Sequence, residues 1–209
     1  MIKLLCFIFS GGVLLFSIFF RPAQQPAAIP ADVTGHLANA NLVSAIDEGS
    51  SQDRLTHPPA VQTVVGGGYE LTIAAKDDWR SPTAIGKLSK NGTPLWEKAL
   101  PHHYGPRFFL VSPSGQAVLF DEYINVASPY AIALIDPTGE TVAQYSFDDI
   151  KQALPTLAPA DFTRQATSGW WISSRPTLDA TGSLASVETG GTTLELDLAT
   201  GELRRSNPQ

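Results

Sequence analysis

Arg107-Phe-Phe-Leu-Val-Ser112, Gln116-Ala-Val-Leu-Phe-Asp121, Tyr130-Ala-Ile-Ala-Leu-Ile-Asp136 and Glu140-Thr-Val-Ala-Gln-Tyr-Ser146 are four short β-rich runs parted by turn chemistry. Pro113-Ser-Gly115 separates the first two and Pro137-Thr-Gly139 the last two, with a longer loop between the second and third. This is the pattern of an antiparallel meander. Within the third run Tyr130, Ile132 and Leu134 alternate with Ala131, Ala133 and Ile135, giving one bulky face and one mostly small face. Such a strand suits a sheet stacked closely on both sides.

The same pattern recurs. Gly68 and Gly115, Ser81-Pro82 and Ser128-Pro129, Ala84-Ile85 and Ala131-Ile132, and Gly92 and Gly139 are all separated by 47 residues. Across residues 81–92 five of twelve positions are identical to those 47 residues on, without a gap, which predicts an internal repeat. A shorter third copy is expected to begin with a strand at Trp170-Trp-Ile-Ser-Ser174. It continues through an Asp179-Ala-Thr-Gly182 turn, a tight hairpin at Gly190-Gly191 and a last turn at Gly201. Between the second and third copies, Ser146-Phe-Asp-Asp149 has capping-box spacing and predicts one short helix over about 147–154, with a surface loop from there to Ser168. The expected fold is therefore all-β. It consists of three four-stranded antiparallel meander units in a propeller-like, open or sandwich-like stack, with one short helix insert and an N-terminal hydrophobic helix.

Leu4 to Phe20 is a run of 17 uncharged residues behind Lys3, read as a signal peptide or membrane anchor over 1–21. Residues 22–59, rich in Pro, Ala and polar side chains, read as a linker, and 60–209 as the β-repeat domain. The expectation is an exported chain. It is either anchored in an inner membrane facing the periplasm, or secreted or periplasmic if the leader is cleaved. The only cysteine, Cys6, lies in the leader, so the body can form no internal disulfide. The formal charge is −6, and beyond residue 21 twelve basic residues face twenty acidic ones, −8. An acidic body without a basic stripe argues against nucleic acid, and leaves the N-terminal segment as the only expected membrane contact.

Units of about 47 residues with four strands and a closing Asp-x-x-Gly or Lys-Asn-Gly turn resemble β-propeller repeats of bacterial envelope proteins, the WD40-like and quinoprotein-like blades. Gly92-Thr-Pro-Leu-Trp96 is similar to the Gly-x-x-Leu-Trp ending of quinoprotein-type blades. The Gly-His…Trp-Asp pair of WD40 repeats is missing, and three units are fewer than a propeller closes with. Two chains completing one ring is a way to reconcile the count, and weak self-association is expected. The resemblance brings no cofactor motif, and none is expected.

Two loops are the candidate ligand site. Asp77-Asp78-Trp79 and Asp121-Glu122-Tyr123 each place two carboxylates before an aromatic, and each is followed by Ser-Pro. On one side of a meander stack they would offer four carboxylates and two aromatic faces to a cation or a sugar-like ligand. The competing reading is that the acids cap strand ends while the aromatics cover a core edge. The expected function is a non-enzymatic, envelope-exposed module binding an envelope protein or small ligand through its loops. The alternative is a hydrolase or carbohydrate-active domain using the acidic loops at 77–82 and 121–129. His102-His103 reads as a connector whose two rings point opposite ways, poorly suited to one metal. No histidine is expected in a regular element where Ser112, Ser173 or Ser174 could pair with it.

Overall fold

The computed structural model describes residues 57–206, so the leader reading and most of the linker reading lie outside the described residues. Twelve strands and two short helices follow one another from Val61 to Arg205. The first sheet is a meander of β1 (Val61–Gly66), β2 (Tyr69–Ala75), β3 (Thr83–Lys90) and β4 (Thr93–His103). The second is β5 (Pro106–Val111), β6 (Ala117–Glu122), β7 (Ile132–Ile135) and β8 (Thr141–Tyr145). The helices α1 (Phe147–Ala153) and α2 (Pro159–Arg164) intervene. The third sheet is β9 (Thr177–Leu178), β10 (Leu184–Thr189), β11 (Thr192–Asp197) and β12 (Leu203–Arg205). Every pairing is antiparallel between chain neighbours.

The second sheet is the middle layer. Phe109, Val111, Leu119, Ala133 and Ile135 pack with Val64, Leu71, Ile73 and Leu88 of the first sheet. From its other face Leu110, Val118, Phe120, Ile132 and Leu134 join Val187, Leu194 and Leu196 of the third sheet. All six residues of β6 are buried, as a strand covered on both faces requires. The alternation read in β7 holds from Ile132 onward. Ala131 departs from it, joining the bulky side from the loop before the strand. No hydrophobic cluster among the described residues joins the first sheet to the third.

The 47-residue frame is visible in the backbone. Gly68 and Gly115 have φ of +83° and +91° in the first turn of their sheets, and Gly92 and Gly139 have +80° and +94° in the last. The two turns of the second sheet also form its seam with the first. A Cβ on Gly115 would stand 2.4 Å from the Tyr69 ring, and one on Gly139 would stand 3.1 Å from the Trp96 indole. Glycine is required there twice over, for its left-handed backbone and for the close approach. The Asp-x-x-Gly turns share one construction: Asp136 Oδ1 accepts from the Thr138 and Glu140 amides, at 2.8 and 2.9 Å. Asp179 Oδ1 accepts from Ser183 and Leu184, at 2.7 and 2.8 Å, and the Thr181 hydroxyl leads the contacts that hold its carboxyl down at about 2.

Three expectations are corrected. Trp170–Ser174 is not the first strand of the third unit; β9 is only Thr177–Leu178. The Ser173 amide donates to the Glu188 carbonyl at 2.8 Å, but Pro176, with no N–H to give, interrupts any ladder, and Trp171 and Ile172 are instead fully buried plugs of the core. The stretch after α1 is not a plain loop, because it contains α2, giving two helices where one was expected. Pro159 opens α2 and the Asp161 carboxylate accepts the Ala158 amide at 3.0 Å, so only half of a capping box marks it. Finally, His102 and His103 are not a connector but the end of β4.

The shortened third unit has a physical reason. Where the first two sheets join their second and third strands by the loops 76–82 and 123–131, the third uses only Gly190-Gly191. A Cβ on Gly190 would meet Leu157 at 2.6 Å, and one on Gly191 would meet Gln165 at 3.1 Å. The helical insert occupies the space that the missing loop would fill. α1 starts as the sequence predicts, with the Asp149 amide donating to Ser146 Oγ at 3.2 Å and the Ser146 amide to Asp149 Oδ2 at 2.7 Å.

Candidate functional site

Meander topology sorts the connections into two ends. The tight turns at 67–68, 91–92, 113–115, 137–139, 180–182 and 198–201 lie at one, hereafter the turn end. At the other, the loop end, lie 76–82, Tyr104-Gly105, 123–131, the helical insert and Gly190-Gly191. All six candidate residues belong to the loop end, and the two acidic pairs stand there in different settings.

Asp77 is half-buried and its Oδ1 accepts the Ser81 amide at 2.9 Å, a bond that leads the causes holding its carboxyl below the usual range. Asp78 is exposed, with φ of +55°. Trp79, also left-handed at φ +62°, turns into the core and donates its indole N–H to the Pro58 carbonyl at 2.7 Å. Its ring lies 5.9 Å from Tyr104, which in turn lies 5.1 Å from His57. Of the two readings for Trp79, the core-edge cover is the one seen.

Asp121 and Glu122 close β6 and are 0% and 3% exposed. As successive strand residues they aim at opposite faces. Asp121, at φ +55°, faces the insert. Its Oδ1 accepts the Trp170 indole N–H at 3.3 Å, and its Oδ2 lies 3.7 Å from Arg107 Nε. Burial pushes the Asp121 carboxyl up to about 7, against the opposing pull of the Arg107 guanidinium and of the Trp171 and Trp170 indoles. Arg107 donates to Asn125 Oδ1 at 2.6 Å and lies over the half-buried Tyr123 ring at 5.5 Å. Glu122 faces the first sheet: its Oε1 accepts the Ser128 hydroxyl at 2.8 Å and its Oε2 lies 3.5 Å from His103 Nδ1.

The two acidic pairs diverge for a reason the sequence contains. Asp77 and Asp121 are 44 residues apart, three short of the repeat, so Asp77 corresponds in frame to Ile124 and not to Asp121. One pair therefore sits in a loop and the other ends a strand. Among the described residues no three His, Cys, Asp or Glu side chains gather where a metal ion could be held. Nor do Ser128, Glu122 and His103 form a nucleophile relay, because serine and histidine sit on the two oxygens of one carboxylate. The imidazole would have to stand between serine and acid to take the hydroxyl proton.

Other residues complete this end. His102 is buried at the end of β4 with neither ring nitrogen hydrogen-bonded, and burial lowers its imidazole to about 4. The two histidines do point opposite ways, His102 inward and His103 to solvent. Arg107 and Tyr104 belong to no motif in the sequence. Four of the five non-glycine residues with positive φ among the described residues are Asp78, Trp79, Tyr104 and Asp121, all at the loop end; Asn91 alone is at the turn end. Seven of the eight buried side-chain polar atoms that make no hydrogen bond among the described residues lie there too: Arg107 Nε and Asp121 Oδ2, which face each other at 3.7 Å, Glu122 Oε2, which lies 3.5 Å from His103 Nδ1, Trp171 Nε1, Ser173 Oγ and both nitrogens of His102; Trp96 Nε1, beside the Gly139 turn, is the eighth. In comparisons with known proteins, no family model matches this chain and no curated protein matches its sequence.

Proposed function

We propose that the chain is a non-catalytic β-repeat binding module of the cell envelope, its sheets acting as propeller-like blades and its loop end receiving an envelope protein or small ligand. The observation that carries this reading is the concentration at one end of strained backbone and unpartnered buried polar groups. Left-handed non-glycine residues each cost on the order of 1–3 kcal/mol, and such costs gather where a fold holds a surface ready for a partner. The turn end, by contrast, satisfies its amides with Asp136 and Asp179 and carries one left-handed non-glycine residue, Asn91, and one unpartnered buried donor, Trp96 Nε1. Asp78 wholly, and Asp77 and Tyr123 in part, are the candidate contacts still facing solvent; Trp79, Asp121 and Glu122 support the surface from behind.

The test is pull-down from envelope extract with the full chain, comparing Asp78→Ala and Tyr123→Ala with Asn91→Gly. A specific partner lost with the first two and kept with the third is the expected result. Equal loss with all three, or retention by all three, would place the binding surface elsewhere. The hydrolase alternative is disfavoured by divergence: Asp121 and Glu122 face opposite sides of β6, whereas glycoside hydrolysis needs two carboxyls flanking one bond.

A further inference from the structure

We propose that Arg107 and the loop segment 123–127 form a cover over Asp121 that stays shut while the carboxyl holds a proton and opens to water when that proton leaves. The covered carboxylate is poorly served where it stands. A buried carboxylate is stable when two or three short, well-aimed donors meet it. Asp121, fully buried, accepts the Trp170 indole N–H at a long 3.3 Å, and its Oδ2 accepts no hydrogen bond among the described residues. Arg107 Nε faces that oxygen at 3.7 Å without bonding it, so the cation lends charge but no hydrogen bond. The closed site therefore suits the neutral acid, and the ionised one lacks donors that water would supply. Arg107, from β5, is the charged group that bears on the carboxyl. The insert presents the Trp170 and Trp171 indoles, and the loop presents Asn125 and the Tyr123 ring. Glu122 points to the other side of β6, where His103 lies 3.5 Å from it.

The cover hangs on one side chain. Arg107, 18% exposed, donates from its guanidinium to the Tyr123 carbonyl and to Asn125 Oδ1. From Ser128 onward the loop is pinned elsewhere. The Ser128 hydroxyl donates to Glu122, its Oγ accepts the Tyr130 amide at 2.9 Å, and its carbonyl accepts the Phe147 amide at 3.0 Å. Before that, Asn125 is tied to Arg107, the Val126 amide bonds back to Ile124 at 2.9 Å, and residues 125–127 are exposed. Arg107 and this segment therefore leave the carboxyl together. The direction follows from linkage. Burial leads the causes that raise the carboxyl to about 7 and outweighs the pull of Arg107, whereas in water it returns to its ordinary 3.8. Opening is rarest below about pH 4, grows as pH rises and levels off above about 7. Between pH 5 and 8 the opening constant should climb by up to about 90-fold. For the partner proposed above, binding would then vary with pH, a consequence that rests on that reading; the opening itself does not.

Hydrogen exchange of the buried Arg107 Nε–H in the full chain reads the opening, followed by NMR at pH 5, 6, 7 and 8 and divided by the intrinsic rate at each pH. The slowest amides of β6, a strand buried throughout, give the opening of the whole fold for reference. The Arg107 constant should exceed that reference at every pH and climb tens-fold from pH 5 to 8. Asp121→Asn should flatten the climb, and Asn125→Ala, which cuts a tie of the cover, should raise the constant several-fold throughout. His103→Gln should leave the climb in place. Equal constants for Arg107 and β6 would mean that the site opens only with the entire fold, and would overturn the proposal. A constant that stays level or falls with pH would overturn it too, because ionisation would then be drawing Arg107 in. So would a climb that survives Asp121→Asn or vanishes with His103→Gln, or an Asn125→Ala chain that matches the parent.

Discussion

Asp121→Asn should change the pH dependence of stability more than its level. The buried carboxyl has a folded-state pKa of about 7 against an ordinary 3.8, so the folded protein holds its proton more tightly than the unfolded chain does. The stability tied to that proton is fully present below about pH 4 and is lost as pH rises through about 7. Linkage between those two values gives a loss of about 2 kcal/mol by pH 5 and about 4 kcal/mol by pH 8, a change of roughly 2–3 kcal/mol over that interval. Asparagine keeps an oxygen for the Trp170 indole and removes the charge, so the variant lacks this slope. The ion pair with Arg107 forms only as Asp121 ionises, so its pull is already contained in the folded-state value of about 7 and adds no separate slope. His102, held at about 4 by burial, titrates the opposite way but is present in both proteins and cancels in the difference. Urea unfolding of the full chain at pH 5, 6, 7 and 8 reads the quantity directly. The variant should gain on the parent by about 2–3 kcal/mol between the ends of that range. Parallel profiles, or a gain toward acid, would refute the claim that burial governs this carboxyl.

Ser146→Ala removes the hydroxyl that caps α1 and should cost about 1 kcal/mol. Faster amide exchange should be confined to 147–153, and exchange spreading into β7 would mean the helix does more than cover the second sheet's edge. Gly115→Ala forces a side chain into the Tyr69 ring at a left-handed position and should destabilise by more than the roughly 1 kcal/mol of left-handed strain alone. A Tyr69→Ala background should recover part of that loss in thermal melts; no recovery would place the strain in the backbone alone.

Much of the architecture is legible from glycine spacing and strand alternation, because both are local requirements that geometry makes strict. Gly68, Gly92, Gly115 and Gly139 stand where turns demand positive φ, and a 47-residue rhythm between them leaves little freedom for the strands in between. The Trp170–Ser174 run misleads because a buried plug and a buried strand look alike in composition, and only the ladder distinguishes them. α2 is hidden by its Ala158 cap, which offers no side-chain acceptor. The candidate site is legible only as a neighbourhood. Its acids resemble one another in type but stand three residues out of repeat register, so the chain delivers one pair to a loop and the other to a strand end. The polar partners of Asp121 come from β5 and from the insert, far along the chain, and nothing local in sequence announces their convergence.

The bond from the Trp79 indole to the Pro58 carbonyl fixes where the chain arrives. Pro58 and the His57 ring are held against Trp79 and Tyr104, so β1 is entered from the same end that carries the strained loops. One side chain thus ties the entry into β1 to the left-handed loop that carries it, so a change at Trp79 disturbs both at once.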